Sequence, residues 1–277
     1  MLRWRYGLFA LPAVALLFLL GTGDAAPRAE EPKPIRALLV TGGCFHDYAK
    51  QKDILREGIA ARAHVEVTIA YDPDRGCGHL NPVFEKTDWA KGFDVVVHDE
   101  CCSDVKDESL IARILEPHRQ GLPAVVLHCG IHSYRSAGWP KNTPWFEFTG
   151  LPSTGHGPQL PIAITFTDKD NPITKGLTDW TTGKEELYNN SAGKLLETAH
   201  PIARGKQIIK SRDGKERTED VVAVWTNMYK GKTRVFATTL GHNNNTVADD
   251  RYLDLVTRGL LWAVDKLDNE HLKAAKK

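Results

Sequence analysis

Four short apolar runs constrain this chain more than any other feature: IRALLVT (35–41), VEVTIAY (65–71), FDVVVH (93–98) and PAVVLHC (123–129). Each is about as long as a strand, and the third and fourth are almost uninterrupted apolar stretches. Runs of that kind belong to strands covered on both faces, and such strands are found in parallel sheets. Helical patterns separate them. DYAKQKDILREGIAARA (47–63) places Ile54, Leu55, Ile59 and Ala60 on one face, and DESLIARILEPHRQ (107–120) follows the third run. Strands alternating with helices predict an α/β domain built on a parallel sheet.

After Tyr134 the pattern loosens into an aromatic, loop-rich stretch (135–158). LPIAITF (160–166), KLLETAHPI (194–202), DVVAVWTN (220–227) and TRVFATTL (233–240) then read as strands, and 251–267 as a closing amphipathic helix. No internal repeat interrupts this order. Trp139, Trp145 and Phe148 in the loop-rich stretch could form a platform for a sugar face or a small core of their own.

The first residues have a different character. Arg3 and Arg5 precede an apolar stretch (8–20), and Gly23 and Ala25 supply the small residues of a cleavage site. This three-part pattern predicts a signal peptide over 1–25, hence a secreted or periplasmic protein, with an uncleaved anchor as the alternative. A proline-rich linker (26–34), a folded domain (35–267) and a C-terminal tail (268–277) complete the expected layout. Removing Arg3, Arg5 and Asp24 from 36 basic and 35 acidic residues leaves 34 of each. That balance gives no electrostatic case for nucleic acid or an anionic membrane as partner. Five cysteines, an odd number, leave at least one thiol free or paired between chains.

The polar residues sort to the ends of strands. GGCFHDY follows the first run, HDECC the third and HCGIHSYR the fourth, while GHNNN follows TRVFATTL. Five of the eleven histidines fall in these four places: His46, His98, His128, His132 and His242. In an open parallel sheet the carboxyl ends of the strands share one edge, where ligands bind. A pocket is therefore expected there, although His98 and His128 could instead be buried residues that only bond backbone. Glu186 and Tyr188 alternate as in a strand and would face it from the second half of the chain. Three chemistries are open: acid/base work by imidazole, a metal site with a carboxylate, or a nucleophilic Cys129. Cys129 reads more strongly as a buried strand cysteine, because it still lies in the apolar run before Gly130.

The segments LLVTGGCFHDY, DVVVHDEC, VVLHCGIHSYR, EELY, VVAVWTN and RVFATTLGH together resemble the ThuA-like (trehalose-utilisation) family. The resemblance implies a flavodoxin-like, class I glutamine-amidotransferase-like three-layer sandwich with a mostly parallel central sheet. It also implies processing of small carbohydrates, disaccharides or keto-sugar derivatives. The amidotransferase pattern G-x-C-x-G aligns with Gly130-Ile131-His132, so histidine stands at the cysteine position and the usual thiol route to glutamine hydrolysis is not expected. His132 is the expected central catalytic residue, with His46, Glu100 and His242 around it as acid/base groups or ligands of a divalent metal such as zinc. Tyr48, His128, Ser133, Tyr134, Arg135, Glu186, Tyr188, Asn227 and Asn243 are the expected substrate contacts. The alternatives are a non-catalytic carbohydrate-binding protein and a cysteine hydrolase using Cys129. The sequence leaves the oligomeric state open.

Overall fold

A computed structural model describes residues 1–2, 32–190, 194–211 and 213–273. Residues 3–25 of the expected signal peptide, and the linker as far as residue 31, lie outside them. Among the described residues no helix is long and apolar enough to cross a membrane.

The chain from residue 32 runs β1 (Ile35–Gly43), α1 (Tyr48–Arg62), β2 (Val65–Asp72), β3 (Val95–Cys101), α2 (Glu108–Arg119), β4 (Ala124–Leu127), α3 (Pro144–Thr149), β5 (Leu160–Phe166), β6 (Trp180–Glu185), β7 (Ala199–Lys210), β8 (Glu216–Tyr229), β9 (Thr233–Thr238), α4 (Asn244–Val247) and α5 (Asp250–Ala263). The strands form a single sheet in the order β2-β1-β3-β4-β9-β8-β7-β5-β6. The pairings among β2, β1, β3, β4 and β9 are parallel. Those joining β9, β8, β7, β5 and β6 are antiparallel. The sheet is therefore mixed, and the expected parallel arrangement holds for its first half.

Burial explains the division. Every residue of β3 and β4 is buried, as doubly covered strands require. Along β5, by contrast, Ile162, Ile164 and Phe166 are buried between exposed neighbours, the period-two signature of a strand covered on one face. Alternate residues of β1 enter two separate cores. Ala37 and Leu39 pack with Leu55 and Ile59 of α1 and with Leu253, Val256 and Leu260 of α5. Leu38 and Val40 pack with Ile111, Ile114 and Leu115 of α2 and with Trp145 and Phe148 of α3. The aromatic loop-rich stretch thus supplies core rather than a sugar platform, with Trp145 and Phe148 fully buried and Trp139 39% exposed.

Two elements differ from the sequence reading. The strand expected over 194–202 begins only at Ala199 and continues to Lys210 as half of a long hairpin with β8. β6 carries no apolar run and forms an edge strand. The described part of the 268–277 segment returns to the body, where Leu272 bridges Ala63 at the end of α1.

The carboxyl ends of β1, β3, β4 and β9 meet on one edge. β1 is flanked by β2 on one side and β3 on the other, so the strand order reverses there. The approach at the end of β1 demands glycine. Gly43 has φ +92, and a Cβ on it would stand 2.2 Å from the carbonyl oxygen of Cys101.

Candidate functional site

Beyond that edge three imidazoles close on one another. The ring centres of His46 and His128 are 4.8 Å apart, those of His46 and His242 4.8 Å, and those of His128 and His242 5.3 Å. Each arrives from a different strand end. His46 follows the Gly42-Gly43 turn after β1. His128 is the first residue after β4 and has φ +40, a conformation that costs a non-glycine residue about 1–3 kcal/mol and persists only where surrounding structure imposes it. His242 follows Gly241, which has φ +125 and whose Cβ would crowd Tyr252 Oη at 2.8 Å.

Neighbouring groups fix each ring. His128 Nδ1 donates to the Thr239 carbonyl at 2.7 Å, which turns Nε2 toward the cluster, 3.3 Å from His242 Nδ1. Burial, with His128 and His242 close by, lowers His46 to about 2, so this ring is neutral. The Glu186 carboxylate completes the group, with Oε2 3.3 Å from His242 Nδ1 and 3.6 Å from His128 Nε2. Burial opposes its ionisation, but hydrogen bonds to His128 and His242 outweigh burial and hold it below the usual carboxylate range. Burial likewise opposes the charge on His242, and the bond to Glu186 reverses the balance and raises it. The Gln159 amide donates to Glu186 Oε1 at 3.2 Å and to His242 Nε2 at 2.8 Å. Glu185, fully buried, accepts the backbone N–H groups of His242 and Asn243 at 3.2 and 3.3 Å and so pins the turn after β9.

His46, His242 and Glu186 of this cluster line a cavity of about 450 Å³, whose wall includes Arg135, His156, Tyr188 and the sulfur-bearing residues Cys101 and Cys129. A second hollow of about 470 Å³ shares Phe45, His46, Gln159 and His242 with the first and is bounded beyond them by Lys184, Asn243 and Asn244. Phe45, with φ +73, holds its ring 75% exposed at their junction. A larger hollow, about 870 Å³, lies against α2 among Lys91, Arg113, Glu116 and Arg119. It contains none of the strand-end histidines, so size alone does not mark the chemistry.

The expected site residues divide into two groups. His46, His128, His242, Glu186 and Tyr188 come together, with Tyr188 Oη 3.3 Å from His128 Nε2. His132 lines the same cavity but stands outside the triangle. Its ring stacks on Tyr188 at 3.9 Å and its Nε2 bonds Ser153 Oγ at 2.7 Å. Burial, then the Arg135 charge, hold it well below the ordinary histidine value. The strained residue at the end of the fourth run is thus His128, not His132. Arg135 forms part of the wall, with its Nε donating to the His132 carbonyl at 3.1 Å. Asn243 borders the second hollow. Tyr48 is buried edge-on to His46 at 5.3 Å.

Glu100 lies elsewhere. Its Oε1 bonds His98 Nδ1 and Tyr134 Oη, each at 2.8 Å, and His98 Nε2 continues to His118 Nε2 at 3.1 Å. All four side chains are sealed in the α2-side core, so Glu100 and Tyr134 are structural. Side-chain direction explains it: Glu100 shares its face of β3 with His98, two residues earlier. Ser133 bonds the backbone of Glu100 and Cys102, and Asn227 ties the carbonyls of Glu147 and Phe148. Neither reaches the cavity.

The structure also overturns the nucleophilic Cys129. Cys129 is disulfide-bonded to Cys101, and Cys44 to Cys77, which leaves Cys102 as the free thiol. Burial, then the neighbouring Glu100 carboxylate, push the Cys102 thiol far above its ordinary value, so it is inert. Sequence reasoning passed over Gln159, Glu185 and Phe45. A buried Glu185 beside a buried Glu186 has no signature that separates it from a solvated acidic pair.

The profile of the ThuA family, described as trehalose utilisation, matches residues 36–263. The chain belongs to that family. Two solved structures of ThuA-like proteins share the fold of this ThuA member. One, from Parabacteroides merdae, is 20% identical with a TM-score of 0.60, covering 88% of this chain and 93% of that one. The other, from Bacteroides uniformis, is 14% identical with a TM-score of 0.59, covering 90% and 98%. No curated protein matches this ThuA chain.

Proposed function

We propose that this ThuA-family protein binds and processes a saccharide of at least two units at the junction of its two cavities. The observation that carries the reading is the sharing of Phe45, His46, Gln159 and His242 between hollows of about 450 and 470 Å³. Both volumes lie within the range of small-molecule sites. A ligand occupying both would lay its connecting bond against the imidazole cluster. The exposed Phe45 ring offers an apolar face to a sugar ring, and Asn243, Asn244 and Gln159 offer amides to its hydroxyls. The family's association with trehalose utilisation supports a disaccharide or a keto derivative of one.

The chemistry proposed for this junction is proton transfer at a sugar hydroxyl or carbonyl. Glu186, ionised, and His242, readily protonated, form an adjacent base and acid, and the Tyr188 hydroxyl stands beside His128. Acid/base groups so placed contribute about 10²–10⁴-fold to a rate. Export through the N-terminal segment is part of the same proposal, supported by two disulfides of the kind that persist in oxidising compartments. The placement of α1 and α5 against one core and α2 and α3 against the other supports a three-layer, flavodoxin-like reading of the parallel half.

Calorimetric titration with a panel of disaccharides and their oxidised keto forms, followed by product analysis, tests the reading. Phe45→Ala is expected to weaken saccharide binding without changing stability, and Glu186→Gln to abolish turnover while binding persists. Failure of every saccharide to bind overturns the proposal. Binding with no turnover by the wild type retains the site and overturns the catalytic part.

A further inference from the structure

We propose that His46, His128, His242 and Glu186 form a binding site for one divalent transition-metal ion, open to the cavity. The inference deepens the saccharide reading, with Glu186 and His242 serving as metal ligands in place of an acid/base pair when the ion is bound, and rests on that reading only for what the ion would hold.

The distances support a coordination sphere. Zinc–nitrogen and zinc–oxygen bonds are about 2.0–2.2 Å, so two donors on a tetrahedral ion stand about 3.3–3.5 Å apart. His128 Nε2 and His242 Nδ1 are 3.3 Å apart, and Glu186 Oε2 is 3.6 and 3.3 Å from them. These three atoms already outline one face of such a tetrahedron. A ring nitrogen of His46 joins the two other histidine nitrogens in a set whose members all lie within 4.8 Å of one another.

A second observation is independent of these spacings. His46 is only 8% exposed, yet its Nδ1 has no hydrogen-bond partner. An unsatisfied buried polar atom costs about 1–3 kcal/mol. A bound cation is a partner that would satisfy it. The surroundings suit a metal in other ways. Thr239 fixes His128 Nδ1 as the donor, the backbone-carbonyl arrangement that orients ligating histidines. Coordination at His242 Nδ1 would place that ring's proton on Nε2, where a flipped Gln159 amide would accept it. The other candidate set, His46 with Cys101 and Cys129, is closed because those sulfurs are joined to each other.

Three imidazoles and a carboxylate favour zinc, cobalt, nickel or copper over magnesium or calcium, which prefer all-oxygen ligands. The carboxylate leaves a net charge of +1 on the occupied site. Facing the cavity, that charge would draw a sugar hydroxyl or carbonyl oxygen. The metal would then act as a Lewis acid at the bond which the two cavities bring together.

The test uses tag-free protein stripped with chelator and titrated with Co²⁺ and Zn²⁺ alone. One ion per chain is expected, with ligand-field absorption from Co²⁺ and paramagnetic shifts of the His46, His128 and His242 resonances. His64, at the opposite end of the sheet, should be unaffected. His46→Ala and His242→Gln should each weaken binding more than about 100-fold, beyond the 10–100-fold typical of residues that merely orient ligands. His64→Gln should leave affinity unchanged. No saturable binding, or wild-type shifts confined to other histidines, overturns the proposal even if a variant fails to fold. Saccharide titration of the stripped protein separates the two readings: sugar binding without metal binding sinks this inference and leaves the saccharide site standing.

Discussion

His128 Nε2 and His242 Nδ1 lie 3.3 Å apart although 114 positions separate them along the chain. The parallel register of β4 and β9 creates the meeting, because Leu127 pairs with Thr238. The chain leaves β4 directly into His128, while two further residues, Thr239 and Leu240, and the Gly241 turn carry the other strand round to His242. The remaining contributions to the site follow the same rule, and their consequences can be measured.

Glu185 should prove structural, unlike its neighbour. Its carboxylate is fully buried and receives two backbone N–H groups of the turn that carries His242. Glu185→Ala leaves both donors unsatisfied and is expected to cost about 2–3 kcal/mol, the scale of hydrogen bonds to a charged group. Urea unfolding measures it. An unchanged midpoint would mean that the turn does not depend on this carboxylate.

Gly43 and Gly92 separate crowding from backbone strain. Both have φ near +90, but a Cβ on Gly43 meets a carbonyl oxygen at 2.2 Å, whereas one on Gly92 meets nothing within 4 Å. Gly92→Ala should cost about 1–2 kcal/mol, the left-handed penalty alone. Gly43→Ala should cost clearly more and displace His46. Equal losses in thermal or urea unfolding would contradict this.

Thiol titration checks the disulfide assignment. The denatured, unreduced chain is expected to release one thiol, Cys102, and the folded chain none, since Cys102 is buried. The Cys44–Cys77 bridge spans 33 positions, for which a loop-entropy model gives about 3–4 kcal/mol. The double substitution Cys44→Ser with Cys77→Ser should lose a comparable amount. Three thiols in the denatured protein would remove one of the bridges.

Acid should destabilise the protein partly through His118. Burial, then the adjacent His98, lower this ring to about 3 from an ordinary value of 6.5. Between those values the unfolded chain holds a proton that the folded chain lacks, so stability is lost as pH falls from 6.5 toward 3. One such group contributes at most about 1.4 kcal/mol per pH unit. His118→Gln is expected to flatten the pH dependence of the urea midpoint across this window. An unchanged slope would place the acid sensitivity in other groups.

Much of this architecture is legible in the residues. The apolar continuity of β3 and β4 reports burial on both faces. The alternation in β5 reports a change of environment, and the gathering of histidine at strand ends marks the edge where the cavity lies. Other features were not legible. β6, at one edge of the sheet, carries no apolar run to read, whereas β2 at the other edge does. Glu100 and Glu186 both stand near the right end of the sheet, yet one faces a sealed core and the other a cavity. His128 and His132 are four positions apart in one motif, and only the backbone turn after β4 determines which ring enters the cluster.

The sequence by itself determined the secondary structure of the parallel half, the family and the edge of the sheet that carries polar chemistry, because hydrophobic period and strand-end composition are local properties. The tertiary structure alone decided which imidazoles share a centre, which carboxylate joins them and which cysteines are bridged. Those outcomes depend on sheet register and on the direction each side chain takes from its strand. Both are set by contacts between segments from 28 to more than a hundred positions apart, and no local window of the chain contains them.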